Sequence, residues 1–163
     1  THFEMPPAIM AQALSFAASI PVEDLHEHGV ERDTHVTVKF GLYDDSLAAI
    51  RLAVRTIPPM TLRFGVVSLF EKDDYDVVKV EVESEELALL HEIFGMLPNG
   101  EEKRPYSPHM TIAHVRKGRG QVYAGGSVFI GASVEVDKLI FSKQSGEKVE
   151  LKLEGGSVCS HAH

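Results

Sequence analysis

The sequence predicts an α+β fold with antiparallel sheets and flanking helices, and three observations lead to this prediction. Apolar residues recur at helical spacing in three separate segments, as they do in amphipathic helices. Strand-like segments lie on either side of the short polar turns 72–74 and 144–146, which is the pattern of a β-hairpin. Because the helices and strands do not alternate regularly, a parallel βαβ sheet is not favoured.

The first half of the chain is predicted to hold two helices and one strand. A helix is expected over 6–20, where prolines stand in the first turn and directly after the last one. Residues 22–33 are acidic and are interpreted as irregular. The segment 34–42 alternates apolar and polar residues like a strand. Asp44 or Asp45 then caps a second helix.

The second half is predicted to contain two hairpins, a helix and a further strand. Segments 61–71 and 75–83 form the first hairpin, and a helix capped by Ser84 ends before the Pro-Asn-Gly break at 98–100. Residues 107–115 again alternate like a strand. The remaining predicted pieces are a basic, glycine-rich loop at 117–126 and two or three strands within 127–153.

These elements are assigned to one domain over residues 6–153, with flexible ends at 1–5 and 154–163. A chain of 163 residues with 44% hydrophobic and 25% charged residues has an ordinary globular composition. Neither a membrane span nor a secretory signal peptide is expected. The single cysteine, Cys159, excludes an internal disulfide framework and multi-cysteine zinc sites, and a cytoplasmic location is expected.

The charge balance limits the kind of partner that the protein can bind. The formal net charge is −8, whereas proteins that grip long nucleic acids through phosphates carry a basic face. A few local Lys and Arg residues could still form a positive pocket on an acidic body. If the substrate is a phosphate compound, we therefore expect it to be small, such as a nucleotide, a cyclic phosphate or one RNA end, and we expect no extended nucleic-acid surface. The protein is expected to be a monomer.

The clearest chemical signal is a His-x-Thr triplet that occurs in both halves of the chain. The triplets are His35/Thr37 and His109/Thr111, and each lies in a strand-like segment. Residues i and i+2 of a strand project to the same side. Each triplet therefore presents an imidazole and a hydroxyl together, while the apolar residues between them point into the core.

Two such pairs across a cleft supply all the groups needed to cleave a phosphodiester. A neutral imidazole can take a proton from a nucleophile, and an imidazolium can give one to a leaving oxygen. Each threonine hydroxyl can donate a hydrogen bond to a non-bridging phosphate oxygen. The residues therefore predict a site that works without a metal or another cofactor.

The motif strings resemble those of a known enzyme superfamily. HVTVKFGL over 35–42 and SPHMTIAHV over 107–115 are similar to the two signature stretches of the two-histidine (2H) phosphoesterase superfamily. That superfamily includes the proteins named 2′-5′ RNA ligases, and the likeness is greatest to its compact phage and bacterial members. By the order of its elements, the resemblance covers about residues 6–153.

The resemblance implies both a fold and a reaction. The fold would be bilobal, with two antiparallel sheets around a central cleft and one motif from each lobe. The enzyme would be a phosphoric diester hydrolase in which one histidine is the base, the other is the acid, and Thr37 and Thr111 hold the phosphate. Family substrates include 2′,3′-cyclic phosphates, cyclic nucleotides and 2′-5′ linkages, and phage members destroy cyclic oligonucleotide signals of host defence.

Five further residues are candidates for substrate binding. Lys39 follows Thr37 on the same strand face and could attract a phosphate, although a solvated lysine fits equally well. Tyr43 and Tyr106 could stack on a base, but packing in the protein is the simpler interpretation. The same holds for Phe64, which is not counted among the five. The candidates are Lys39, Tyr43, Arg104, Tyr106 and Ser107.

Other histidines and other functions compete with these predictions. His26 and His28, with Asp24 and Glu27 nearby, could suggest a metal, but a surface location is favoured. His114 is expected to point away from the face of Thr111. Two alternatives to a hydrolase remain: a non-catalytic nucleotide-binding module and an RNA ligase. The presence of both triplets argues against the binding module, because a site that has lost catalysis need not keep all four residues.

Overall fold

The computed structural model describes residues 1–100 and 105–156. Within these ranges no helix is long and apolar enough to cross a membrane. The helices are α1 (Pro7–Ala18), α2 (Leu47–Ala53) and α3 (Glu85–Gly95), and 3₁₀ turns occupy Val22–Asp24, Asp44–Ser46, Val54–Thr56 and Gln121–Tyr123. The strands are β1 (His2–Glu4), β2 (Leu25–Val30), β3 (His35–Thr37), β4 (Met60–Glu71), β5 (Tyr75–Glu83), β6 (His109–Arg116), β7 (Ser133–Val136), β8 (Lys138–Ser142) and β9 (Lys148–Lys152).

Every recorded strand pairing is antiparallel, so the predicted α+β class is confirmed. The strand order is β7-β4-β5-β6-β3-β1-β8-β9, with β2 also paired to β6. The expected division into two sheets is not confirmed: the described strands form one nine-stranded sheet, with eight strands along this path and β2 beside β6. The two motif strands, β3 and β6, lie next to each other and join the two ends of this path.

Residues 1–5, which were expected to be a flexible end, are part of the sheet. Strand β1 pairs with β3 on one side and with β8 on the other. Phe3 is completely buried and Met5 is 4% exposed. Burial of these apolar side chains stabilises the segment in an ordered conformation. The sequence does not predict this, because Phe3 and Met5 stand among the polar residues Thr1, His2 and Glu4.

Two predictions on the first half also change. The segment expected to be irregular at 22–33 contains β2, which pairs with β6 at Leu25–Val115 and Val30–Ala113. The motif strand expected over 34–42 is limited to β3, because the amides of Val38 and Lys39 both point to the carbonyl of Thr1 rather than continuing a ladder. The chain then turns at Gly41, whose φ of +74° favours glycine.

The other helices and hairpins lie where the sequence predicts them, but the predicted cap of α2 is wrong. Its N-cap residue is Ser46, and the carboxylate of Asp44 instead accepts a hydrogen bond from the amide of Gln144 at 3.1 Å. The β4–β5 and β8–β9 hairpins turn at the expected places. The side chain of Ser84 caps α3 by accepting a hydrogen bond from the amide of Leu87 at 3.2 Å. The apolar residues between the motif residues are buried as predicted, with Val36 and Met110 at 0% exposure and Ile112 at 1%. Both motifs are thus carried by strands anchored in the core.

Candidate active site

The pairing of β3 with β6 brings the four motif residues onto one face. Val36 is the partner of Met110 in an antiparallel register. One step outward from this pair places His35 across from Thr111, and one step the other way places Thr37 across from His109. All four side chains are half-buried, on the side opposite the core residues Val36 and Met110. Each histidine therefore lies beside the threonine of the other motif.

Both histidines are held by the same local contact. Nδ1–H of His35 donates to the carbonyl of Asp33 at 2.8 Å, and Nδ1–H of His109 donates to the carbonyl of Ser107 at 2.7 Å. A carbonyl oxygen can only accept, so the proton of each neutral ring must be on Nδ1. This leaves Nε2 of each ring as the atom that can take or give a proton.

Two cavities meet at the motif residues. The larger, of about 510 Å³, is lined by Thr37, His109 and Thr111. The smaller, of about 160 Å³, is lined by His35, Thr37 and Lys39. Because Thr37 lines both, a phosphate at this residue can be reached from the two sides that carry the two histidines.

His109 lies among aromatic and charged neighbours. The ring of Phe70 stands at 87° to the imidazole, with 4.8 Å between the ring centroids. Burial lowers the pKa of His109 below its ordinary value of 6.5; the hydrogen bond to the Ser107 carbonyl opposes this shift, and the charge of Lys79 adds to it. A lowered pKa keeps the imidazole neutral near neutral pH, which is the state that a general base needs.

An ion pair of buried Lys79 and half-buried Glu81 lies beside His109 on the neighbouring strand β5. Lys79 and Glu81 pair in register with Thr111 and His109. Nζ of Lys79 donates to Oε1 of Glu81 at 3.1 Å and to Oγ of Ser68 at 2.7 Å, and it lies 4.3 Å from the ring centre of Phe70. Lys79 is only 3% exposed, so this cation acts on its neighbours with little screening from solvent.

His35 has a second imidazole as its neighbour. The ring of His2 lies 5.0 Å from that of His35, and β1 sets His2 in register with Thr37. Burial, followed by the charge of His35, lowers the pKa of His2 to about 4. His2 is therefore neutral near pH 7 and adds no positive charge next to the motif strand.

Two stacked rings hold the backbone of the first motif. Tyr106 and His91 are parallel within 2°, with 3.8 Å between their centroids. The Tyr106 hydroxyl donates to the carbonyl of Thr37 at 2.6 Å, and Nδ1–H of His91 donates to the carbonyl of Val38, also at 2.6 Å. These contacts fix Thr37 from behind, and the ring of Tyr106 also lines the larger cavity.

The candidate substrate-binding residues have different positions. Lys39 lines the smaller cavity with His35 and is 5% exposed, so it is not a solvated strand lysine. Ser107 lines the larger cavity and supplies the carbonyl that holds His109. Tyr43 is 46% exposed and is not part of either cavity wall, and Phe64 is packed in the core. Arg104 lies outside the described residues.

The prediction that His114 points away from the site is wrong. Strand β6 pairs Val78 with Ala113 but Lys79 with Thr111, so β6 holds one extra residue there, which is a β-bulge. Ile112 and Ala113 are both buried, and the alternation resumes with His114 half-buried on the side of Thr111. As a result His114 lines the larger cavity together with His109.

His26, Glu27 and His28 form the group for which the sequence could suggest a metal. One donor atom from each lies within 4.8 Å of the others, and Glu27 and His28 are exposed. Nδ1 of His26 accepts a hydrogen bond from the amide of His28 at 3.2 Å. This nitrogen is occupied by the backbone, which favours the surface interpretation over a metal ligand.

Sequence reasoning missed Lys79 and Glu81, although a signal for them was present. In β5 the valines at 78, 80 and 82 share one face, which leaves Lys79 and Glu81 on the opposite one. The sequence does not show that β5 pairs with β6, and this pairing is what places Lys79 and Glu81 beside Thr111 and His109.

Comparison with known proteins identifies the family. The model of the 2′-5′ RNA ligase superfamily matches residues 14–146. The chain therefore belongs to this superfamily, the 2H phosphoesterases, as the two motifs indicated. A comparison with curated proteins gives no match.

Two solved structures share the fold. The protein TT0787 of Thermus thermophilus is 18% identical and superposes with a TM-score of 0.63, over 94% of this chain and 98% of that one. A structure described as a phosphoesterase is 18% identical with a TM-score of 0.58, over 93% of this chain and 92% of the other. The likeness thus extends over nearly the whole described chain.

Proposed function

We propose that the protein is a metal-independent phosphodiesterase that opens a nucleotide phosphodiester next to a ribose hydroxyl. Its substrate would be a 2′,3′-cyclic phosphate or a cyclic oligonucleotide. The observation that carries this proposal is the register of β3 and β6, which sets each histidine beside the threonine of the other motif. Family membership supports phosphoesterase-type chemistry.

In the proposed reaction His109 is the base and His35 is the acid. Nε2 of neutral His109 takes a proton from water as its oxygen attacks phosphorus. The P–O bond to one ribose oxygen breaks, and Nε2–H of protonated His35 gives that oxygen its proton. The lowered pKa of His109 supports this division of roles. The Nδ1–H bonds to Asp33 and Ser107 are kept in both protonation states, so neither ring needs to turn.

The two threonines hold the phosphate during this exchange. The hydroxyls of Thr37 and Thr111 donate to the two non-bridging oxygens, where negative charge develops as water adds. Lys39, in the smaller cavity, adds positive charge on the side of His35. The protein would work as a monomer on a small nucleotide or RNA end. Its two motifs would act as one unit, which also includes β1 beside β3.

A second candidate function is the joining of RNA ends through a 2′-5′ linkage, which the name of the matched family suggests. The same two histidines would serve it in the same roles. The base would take the proton of a ribose 5′-hydroxyl, whose oxygen attacks the phosphorus of a 2′,3′-cyclic phosphate in place of water, and the acid would protonate the 3′ oxygen as its bond to phosphorus breaks. The two functions therefore differ in substrate rather than in the residues that act.

An assay panel with EDTA present tests the proposal. The substrates are 2′,3′-cyclic mononucleotides, cyclic dinucleotides and 2′-5′ linked oligomers, with the His35→Ala and His109→Ala variants as controls. We expect hydrolysis of at least one cyclic class in EDTA and its loss in both variants. Strict dependence on an added metal, or nucleotide binding without turnover of any substrate, would contradict the proposal.

A further inference from the structure

We infer that the larger cavity contains a second nucleotide subsite, built on His114 and Tyr75, at the end away from Tyr106. The substrate is then a single-stranded oligonucleotide of at least two nucleotides. The base next to the reacting nucleotide lies on this second subsite. This inference rests on the proposed function and extends it to substrate length.

The β-bulge of β6 is the first observation behind the subsite. Without it, His114 would stand three residues beyond Thr111 and so face the core. The extra residue at Ile112–Ala113 turns His114 into the cavity instead. A bulge disrupts the strand ladder, and such irregularities often re-aim a side chain beside an active site.

The second observation is a half-open cluster of rings around His114. The centroids of Tyr75 and His114 are 5.6 Å apart, and the ring of His28 lies 5.5 Å from His114 and 5.3 Å from Tyr75. The rings meet at steep angles, between 61° and 79°. None of the three side chains is part of the buried core. Flat rings that stay open to a cleft are the surfaces on which unpaired bases stack.

The third observation is the continuity of the cavity between the two subsites. Thr111 and His109 line the same space of about 510 Å³ as Tyr75 and His114. Lys72, on the turn of the β4–β5 hairpin, also lines this space. It stands 5.7 Å from the ring centre of Phe70, the residue that contacts His109. A cation at this point suits the phosphate that links two nucleotides.

The experiment compares substrates of two lengths. One is adenosine 2′,3′-cyclic phosphate, and the other is the dinucleotide ApA that ends in the same cyclic phosphate, both assayed with EDTA present. Because stacking of one base contributes about 1–3 kcal/mol, we expect kcat/KM of the dinucleotide to be about tenfold higher, mainly through a lower KM.

Variants identify the residues responsible. Tyr75→Leu and His114→Ala should remove the advantage of the dinucleotide and leave the mononucleotide unchanged, whereas His114→Phe should keep it. Tyr123→Leu is the matched control, because Tyr123 packs on Phe16 away from the cavity. Equal kcat/KM for the two substrates in the wild type would overturn the inference. So would variants that slow both substrates alike.

A binding arm separates this inference from the proposed function. The dissociation constants of ApA 3′-phosphate and of adenosine 3′-phosphate, neither of which can be opened as a cyclic ester, are measured by calorimetry. Tighter binding of the dinucleotide that is lost in Tyr75→Leu supports the subsite even if no substrate is hydrolysed. Equal binding of both compounds overturns it even if the enzyme is active.

Discussion

The two motif strands carry the same triplet in different surroundings. Strand β6 has eight residues and pairs with β5 along its length, while β3 has three residues and lies between β1 and β6. His109 contacts the ring of Phe70 and has the ion pair of buried Lys79 and half-buried Glu81 beside it. His35 instead faces the neutral imidazole of His2 and borders the smaller cavity.

This difference teaches that an identical motif can stand in two different electrostatic surroundings, and under the proposed function it would supply opposite halves of one reaction. The local hydrogen bond of each ring is the same, so the motif sets which nitrogen acts. Neighbouring strands then set how easily that nitrogen is protonated, as burial does for His109. In the proposed reaction, the roles of base and acid would therefore come from the fold around the triplets and not from the triplets themselves.

The largest expected effect follows from removing either histidine. His35→Ala and His109→Ala should each lower kcat/KM by about 10²–10⁴-fold, the usual contribution of general acid or base catalysis. A nucleotide nitrophenyl ester, whose leaving group needs no proton, should restore much of the rate of His35→Ala and little of that of His109→Ala. Steady-state assays with both substrates check this, and equal rescue of the two variants would break the assignment of roles.

The next effect concerns the charges behind His109. Activity should fall as pH drops below the lowered pKa of His109, because the base becomes protonated. Lys79→Met removes a charge that lowers this pKa and leaves Glu81, so the acid limb of kcat/KM should move to higher pH. Glu81→Gln should move it to lower pH.

Profiles of kcat/KM against pH for the two variants measure these shifts, with thermal unfolding as the control for folding. Lys79 and Glu81 act here as positioning residues, through the charge that His109 experiences. A shift of the acid limb in the same direction in both variants would show that the substitutions perturb the strand rather than the charge near His109.

A smaller effect is expected at the stacked rings behind the first motif. Tyr106→Phe keeps the ring on His91 but removes the hydrogen bond to the carbonyl of Thr37, which is worth about 1 kcal/mol. We expect activity to fall about fivefold, with Tyr123→Phe, outside both cavities, as the matched control. An unchanged rate in Tyr106→Phe would mean that Thr37 does not depend on this contact.

The smallest effect is expected just before His35. The hydroxyl of Thr34 is buried and has no hydrogen-bond partner within the described part of the chain. Thr34→Val replaces it with a methyl group of similar shape, so the free energy of unfolding should rise by up to about 1 kcal/mol. Urea unfolding measures this change, and clear destabilisation would reveal a partner for the hydroxyl.

The sequence predicts the motif faces well because they depend on local alternation. Burial of Val36 and Met110 follows directly from the period of a strand, and so does the shared face of each His and Thr. His114 could not be predicted, because a single extra residue in the ladder reverses every later face, and no sequence pattern marks the bulge.

Long-range pairing is the other part that could not be predicted. Strand β1 has only three residues, and its order comes from burying Phe3 between β3 and β8. The role of Lys79 likewise depends on which strand lies beside β6. Such partners are chosen by the packing of distant segments, which composition and periodicity do not encode.

The antiparallel register of the two motif strands gives the reaction centre a local dyad that passes between Val36 and Met110. A substrate whose phosphate lies on that dyad can bind in two orientations, and these exchange the positions of the attacking and the leaving oxygen. Because the surroundings of the two histidines differ, one of these orientations is favoured. A change in those surroundings would favour the other orientation. Under the proposed function, changes in the surrounding cavity walls could therefore exchange the base and the acid while all four motif side chains stay in place.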